Sequence, residues 1–407
     1  MKKKVNKKDI QLGTILLVLF SISLALGSFN PLNPNAYEDE SSGVGLVQVI
    51  SVVYIFFMIL VYKCKTKFIS WRVPLCVFFV VITLTTLLQY MEYQTFGTYM
   101  NLIKLFLVVL LCLYLPRVFE KDKNKILLSI IVYTITCSVI AVAYMLGLME
   151  EYVRYNGGRL FLFGENPNSM SSRYVLAVIF LVHLLLKNPM RLNAKRWLSI
   201  IMLVPLVYII IASGSRGSFL IIMFCVCMYV FFSNFRNKLV KPLFCLVILL
   251  SGLYIVNKIA ESDVEFSLFE RLSDTAKSGD DAGRGELNKM AYDIFMDSPI
   301  FGVGIQGFTV EMNERFRERL TVHNLYMYIL ATSGIVGFVA FTLFVLSLLK
   351  YSIAIRKKDF LPFILMLFII LLVYKTGGAL TYMLMWYVFS INISLISNNM
   401  NIEKYKV

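Results

Sequence analysis

A chain of 407 residues that is 58% hydrophobic and only 16% charged, with mean hydropathy +0.73, is not an ordinary soluble domain, where about a quarter of residues carry charge. Its net charge of +15 does not point to nucleic acid, because the 40 Lys and Arg come as short clusters punctuating apolar runs. The seven cysteines (Cys64, Cys76, Cys112, Cys137, Cys225, Cys227 and Cys245) lie in or beside apolar runs without a CxxC pair, so they read as small buried residues rather than as a disulfide framework or a metal site.

A bilayer core takes roughly 20 apolar residues in helical form. Runs of this kind fall at 10–28, 44–62, 73–91, 100–116, 126–148, 169–186, 197–213, 217–233, 240–258, 324–349, 361–374 and 377–396. The first follows a basic stretch and ends in the small residues Ala25, Gly27 and Ser28, as a signal peptide would, but its apolar length favours a span. The chain is therefore expected to be an all-α integral membrane protein with about twelve transmembrane helices.

Charge alternates between the connectors. Lys2, Lys3, Lys4, Lys7 and Lys8 begin one set, followed by clusters around Lys63–Arg72, Arg117–Lys125, Lys187–Arg196, Arg236–Lys241, Lys350–Lys358 and Lys404–Lys406. The opposite short loops hold few cations, and the first carries Glu38, Asp39 and Glu40. Positive-inside bias then places both termini in the cytoplasm, which requires an even number of spans. The outer segments become 29–43, 149–168, the turn around Arg216 and the long loop 259–323, between spans 9 and 10. This divides the chain into a bundle over 1–258, a large extracytoplasmic loop over 259–323, and a second bundle with a cytoplasmic tail over 324–407.

The long loop exceeds what a connector needs. It starts polar and mixed, from Glu261 to Asp281, and then predicts a helix from Gly283 to Ser298 with Leu287, Met290, Ala291 and Ile294 on one face. Pro299 ends that helix, Phe301-Gly302-Val303-Gly304 form a turn, and 311–319 read as a short charged helix. The apolar stripe is expected to pack along the membrane surface or over the bundle.

Cations on the outer side cannot serve as orientation signals. They are Arg154, Arg159, Arg173, Arg216, Arg284 and Lys375. An ionisable group at a span end is paired, snorkelling or functional, and Glu165 and Glu286 are the structural partners on offer. As a set on one face, arginines suit an anionic lipid head group, because the guanidinium fork grips phosphate in bidentate fashion. Of the two histidines, His183 sits at the cytoplasmic end of a span and reads as packed. His323 closes the long loop beside Asn324, where an imidazole suits a general base for a hydroxyl.

His323-Asn324, nine residues, Gly334, two residues, Gly337 resembles the pattern of the O-antigen ligase and polymerase superfamily of bacterial membrane glycosyltransferases. Arg216-Gly217-Ser218-Phe219-Leu220 is similar to that family's paired Arg and Leu at the outer end of a span. Arg284 ahead of an amphipathic helix, the stretch Ser298-Pro299-Ile300-Phe301-Gly302-Val303-Gly304-Ile305-Gln306-Gly307-Phe308, and Asn166-Pro167-Asn168 add further likeness over about 160–345. Asn288 departs from the pattern, which has a bulky aromatic there.

The resemblance implies a C-type glycosyltransferase fold with the large loop capping a cavity, and a donor glycan linked to undecaprenyl pyrophosphate in the plasma membrane. No cofactor and no metal are implied. Arg216, Arg284 and His323 would be catalytic. Arg216 and Arg284, helped by Arg154, Arg159 or Arg173, would bind the pyrophosphate, and His323 would orient or deprotonate the acceptor hydroxyl. Asn324 would hold the imidazole or a sugar hydroxyl, and Lys375 is a further candidate for substrate binding. Gly334 and Gly337 read as close helix-packing positions. A flippase and a chain-length regulator are the expected protein partners, and no nucleic acid is.

The Lys-, Ile- and Asn-rich composition, typical of AT-rich genes that include surface-polysaccharide clusters, favours a polymerase over a ligase. Two rivals remain. One is a metal-dependent transferase using Glu38, Asp39 and Glu40 with a polyprenyl-monophosphate sugar. The other is a transporter of lipid-linked sugars, against which stand the absent repeat and the one-sided placement of polar features.

Overall fold

A computed structural model describes residues 7–29, 46–61, 70–187, 194–232, 268, 271, 283–317, 322–375 and 379–400, with the backbone alone for 7–10, 121, 187, 194–196, 375 and 379. The predicted span 240–258, the acidic Glu38–Glu40, and the segment from Glu261 to Asp281 apart from Leu268 and Arg271 lie outside the described residues.

In chain order the elements are α1 (Lys7–Leu26), α2 (Leu46–Val61), α3 (Arg72–Leu88), α4 (Phe96–Lys121), α5 (Asn124–Met145), β1 (Val153–Asn156), β2 (Arg159–Leu162), α6 (Pro167–Lys187), α7 (Ala194–Ile201), α8 (Leu203–Ala212) and α9 (Arg216–Phe232). Then follow α10 (Arg284–Asp297), α11 (Gly304–Phe316), α12 (Leu325–Ile355), α13 (Leu361–Lys375) and α14 (Met383–Asn399). Among the described residues α4, α5, α6 and α12 are long and apolar enough to cross a membrane, and six shorter apolar stretches lie in α1, α2, α3, α7–α8, α9 and α13. These coincide with predicted spans 1–8, 10 and 11, and α14 coincides with the twelfth.

The chain forms two compact units, each discontinuous in sequence: residues 1–61 with 122–279, and residues 62–121 with 280–407. In the first unit α6 lies at the centre and packs against α5, α8 and α9, while α1 packs on α2 and α5. Its small Ser171, Ser172 and Ala177 are buried and let neighbours approach closely. Where α1 meets α5, the hydroxyls of Ser21 and Ser129 share a hydrogen bond of 2.8 Å. His183 is buried with Nδ1 2.7 Å from the Tyr229 hydroxyl, the packed role expected of it.

In the second unit α3 packs along α12, and α4 along α14. The core there is aromatic, with Phe344 and Phe389 ring centres 4.9 Å apart and Phe78 and Phe341 5.2 Å apart, beside the fully buried Trp71 and Trp386. The amide of Asn392, buried in α14, donates to the Pro362 carbonyl (2.7 Å) and accepts from the Ser352 hydroxyl (3.1 Å), which offsets the cost of placing it in an apolar layer.

Four local features differ from the sequence expectation. The all-α expectation omits a β-hairpin at 153–162, whose Gly157 and Gly158 both take positive φ (55° and 66°), as a two-residue hairpin turn requires. The predicted span 197–213 is two helices parted at Met202, with Pro205 in the first turn of the second, where its missing N–H costs nothing. The charged helix read at 311–319 begins already at Gly304. The predicted span 377–396 is a short turn at 379–381 followed by α14, held by Trp386 donating to the Leu380 carbonyl at 2.7 Å.

Candidate functional site

The polar centre of the first unit is the elbow between α8 and α9, Ser213-Gly214-Ser215-Arg216. Gly214 turns the chain there with φ 62°, a conformation that costs glycine little. Asn168, in the first turn of α6, braces the elbow from the side. Its Oδ1 accepts from the Ser215 hydroxyl (3.0 Å) and from Arg159 Nη2 (3.2 Å). The Ser171 and Ser218 hydroxyls, 2.6 Å apart and buried, pin α9 to α6 one turn further in.

Arg159 reaches the elbow because the hairpin presents it. The register pairs Asn156 with Arg159 and Arg154 with Phe161, so Arg154 and Arg159 share one face while Leu160 and Leu162 are buried on the other. Arg159 Nε donates to the Ser213 carbonyl at 3.2 Å. Arg154 is exposed on its strand. Arg216 opens α9, where the helix N-terminus adds positive potential. Its Nη1 donates 2.9 Å to the carbonyl of Arg271, and Arg271 Nη1 donates 3.0 Å to the carbonyl of Gly214. Cations around backbone turned at a helix start form an environment suited to phosphate.

Arg173 has a different placement. It is buried in α6 and ion-paired with the equally buried Glu165, the structural alternative that the sequence offered. Its guanidinium occupies the space a Cβ on Gly27 would need, so the glycine is what admits it. Its backbone carbonyl accepts from the Tyr133 hydroxyl at 3.0 Å.

In the second unit Arg284 is the first residue of α10, half-buried and preceded by Gly283 at φ 74°. Leu287, Ala291 and Ile294 are buried and α10 packs on α12, so the apolar stripe covers the bundle. The side-chain oxygen of the nonconforming Asn288 is buried without a hydrogen bond. His323 is half-buried in the short connection before α12. Asn324 caps α12, its Oδ1 accepting from the backbone N–H of Tyr326 (3.0 Å) and Met327 (3.4 Å), so the oxygen expected to hold the imidazole or a sugar is engaged by the helix. Lys375 closes α13, and its side chain lies outside the described residues.

Below His323, α12 is broken. Gly334 takes φ 61° and ψ −168°, a region open essentially to glycine alone. The turn after α10 fills the break. Val303 N–H donates to the Ala331 carbonyl (3.0 Å), and the N–H groups of Ile335 and Val336 donate to the carbonyls of Pro299 (2.9 Å) and Ile300 (3.3 Å). A Cβ on Gly334 would strike the Ile300 carbonyl, and one on Gly302 would come within 2.5 Å of Ser333 N. The packing role expected of Gly334 is thus replaced by a backbone role. Gly337 keeps a packing position: a Cβ there would strike Ser333 Oγ and come within 3.6 Å of Val81 in α3.

The start of α11 is seated as closely. Ile305 N–H donates to the Thr86 hydroxyl (3.0 Å), Gln306 Nε2 to the Tyr93 carbonyl (2.8 Å), and the Tyr90 hydroxyl to the Glu311 carboxylate. Burial, and then that carboxylate, push the Tyr90 phenol well above its ordinary pKa.

The predicted set is therefore distributed: Arg154, Arg159, Arg173 and Arg216 belong to the first unit, and Arg284, His323, Asn324 and Lys375 to the second. Sequence reasoning passed over Arg271 and Ser215. For Arg271 the available signal was its i,i+3 spacing from Leu268, one apolar and one cationic residue a turn apart.

Residues 201–342 match the family model described as O-antigen ligase. That segment holds the elbow, Arg271, Arg284, His323, Asn324, Gly334 and Gly337, and leaves out the hairpin arginines and Arg173. No curated protein matches the chain.

Proposed function

We propose, for a chain that carries an O-antigen ligase domain over residues 201–342, that it is a membrane glycosyltransferase polymerising a bacterial surface polysaccharide. It moves a glycan from undecaprenyl pyrophosphate onto a hydroxyl of the next lipid-linked repeat unit, on the outer face of the plasma membrane, with both termini in the cytoplasm. The observation that carries this reading is the set of arginines drawn to the Ser213–Arg216 elbow inside the matched segment.

In this reading Arg216 and Arg284 bind the donor pyrophosphate, with Arg159 beside Arg216 and Arg154 on the same hairpin face. The acceptor oxygen attacks the anomeric carbon, the bond from that carbon to the pyrophosphate oxygen breaks, and the acceptor proton passes to His323. Charge grows on the departing pyrophosphate, so fixed cations stabilise the transition state more than the ground state. One displacement gives inversion. Asn324 acts by setting the start of α12 directly behind His323.

The test is elongation by purified protein in nanodiscs with an undecaprenyl-pyrophosphate repeat unit and a chelator present, read as a product ladder. His323→Ala and Arg216→Ala should abolish the ladder. Arg216→Lys should lose activity almost as far as Arg216→Ala, roughly 10²- to 10³-fold, because an ammonium cannot supply the fork. An intact ladder in either alanine variant would count against the site. Loss of the wild-type ladder in chelator would favour the metal-dependent rival. Movement of lipid-linked glycan without elongation would favour a transporter.

A second reading is favoured by the matched family being that of O-antigen ligases. A ligase would use the same donor and site but transfer the glycan to a lipid A core or a protein, so adding such an acceptor to the same assay separates the two.

A further inference from the structure

The turn that seals the break in α12 carries its apolar side chains outward. Pro299, Ile300 and Phe301 are successive and all exposed, Ile300 to 58% and Phe301 to 52%. Ile335 and Val339, one turn apart on α12, are exposed as well, and Ile335 N–H donates to the Pro299 carbonyl, so the two sets adjoin. On α10 the exposed Tyr292 and Met296 are also one turn apart, with the exposed Lys289 one turn before Tyr292. This is a second apolar stripe, distinct from Leu287, Ala291 and Ile294, which are buried, and Glu286, Asp293 and Asp297 separate it from them on the far side of the helix. Single exposed apolar residues are ordinary, but three in a row joined to two further stripes are not.

The level of the turn along α12 says what covers it. Between Leu325 and Lys350 the helix carries no charge, and it is long and apolar enough to cross a membrane. Ile335 precedes Lys350 by fifteen residues, about 22 Å of helix at 1.5 Å per residue. A hydrocarbon core is roughly 30 Å thick, so with Lys350 at one edge the turn falls inside the other. Hydrocarbon admits non-helical backbone only where protein takes up its polar groups. Here Gly302 N–H donates to the Ser298 carbonyl (2.9 Å), and the Ser298 hydroxyl donates to the Gly302 carbonyl (3.0 Å). The Pro299 and Ile300 carbonyls and the Val303 N–H are engaged by α12, and Pro299 has no N–H to satisfy.

We propose that the 299–301 turn dips into the bilayer at the His323 end of α12, with Ile300 and Phe301 among the acyl chains and Tyr292 and Met296 of α10 at the lipid interface. Lys289 reaches from the same stripe toward the head groups, as a lysine at an interface does. The occupant of the patch is thus lipid, and α10, which begins with Arg284, is tied to the membrane surface. This holds whether or not the chain transfers a glycan.

Tryptophan reporters in the full-length protein in nanodiscs test it, with the emission of Trp71, Trp197 and Trp386 subtracted by means of the wild type. The quenchers are phosphatidylcholine brominated along its acyl chains and, from the water side, iodide. Phe301→Trp should lose most of its added emission in brominated lipid and little to iodide. Ile300→Trp should repeat that result if Phe301→Trp does not fold. Tyr292→Trp should respond more to bromine near the carbonyl end of the chain than to bromine deep in it. Glu286→Trp, on the acidic stripe, should be quenched by iodide and not by brominated lipid. Iodide quenching without bromine quenching at positions 300 and 301 would overturn the insertion. Shielding of the 292, 300 and 301 reporters from both quenchers would assign the patch to a protein partner or a second copy and overturn it equally. Bromine quenching at Glu286→Trp as strong as at Phe301→Trp would overturn the assignment of faces.

Discussion

Two glycines with nearly the same backbone angle mark the two halves of this protein. Gly214 in the first unit turns at φ 62° and Gly334 in the second at φ 61°, and each interrupts helical structure. At Gly334 the orphaned groups are met by other backbone, the 299–303 turn, in hydrogen bonds of 2.9 to 3.3 Å. At Gly214 the carbonyls of the elbow are met by arginine side chains. Backbone partners cannot leave without unfolding the turn that carries them. Guanidinium partners can rotate toward a ligand at modest cost. The first kind of helix break is scaffold, and the second is the one we propose as a site.

Substitutions can break that contrast. Gly334→Ala combines a forbidden φ/ψ with a Cβ driven into the Ile300 carbonyl, so a loss on the order of 4 kcal/mol or outright failure to fold is expected. Thermal unfolding in detergent measures it, and a variant within about 1 kcal/mol of wild type would show that the turn does not seal the helix. Gly214→Ala should cost about 1–2 kcal/mol of stability from backbone strain at positive φ, yet reduce transfer out of proportion by turning the elbow carbonyls from their arginines. Equal losses at both glycines, in stability and in activity, would erase the distinction.

Asn324→Ala should cost about 1 kcal/mol, the worth of a helix cap, and Asn324→Asp should restore both stability and elongation because a carboxylate caps equally well. Restored stability without restored activity would instead give the amide N–H a role with substrate. The smallest effect expected is at Tyr90. Its pKa is raised in the folded state, so the stability linked to its proton is complete below the ordinary value of 10.0 and is lost as pH rises beyond it. Tyr90→Phe should change the slope of unfolding temperature against pH only above about pH 10, flattening the fall there, and an unchanged slope between about pH 10 and pH 11.5 would remove the phenol from the account.

Hydropathy and charge made the helices legible, because burying an apolar run in lipid leaves the backbone little choice but a helix. The stripe of Leu287, Ala291 and Ile294 was legible for a related reason: period decides which face is covered, and α10 indeed lays that face on α12. What escaped was backbone that hydropathy does not encode. Gly334 looked like a packing glycine, since small size and positive φ leave the same letter. The hairpin hid in a polar loop, although Asn156-Gly157-Gly158-Arg159 between alternating strands is a strong turn signal. The arginines were singled out as a class, but sequence could not tell Arg173, committed to Glu165, from Arg159, drawn to the elbow. That difference depends on Gly27, remote in the chain, leaving room for one guanidinium.

The stitched break in α12 also limits how a protein with the proposed activity could be re-engineered. Acceptor preference is naturally sought by exchanging loops between homologues, with crossover points at the predicted ends of the loop. Here the 299–303 turn is part of the hydrogen-bond ladder of α12 down to Val336. A crossover at His323 would pair one parent's turn with the other parent's helix and leave several main-chain groups mismatched. The smallest cassette that transplants intact runs from Gly283 through Gly337, and chimaeras built on it should fold where those cut at 323 do not.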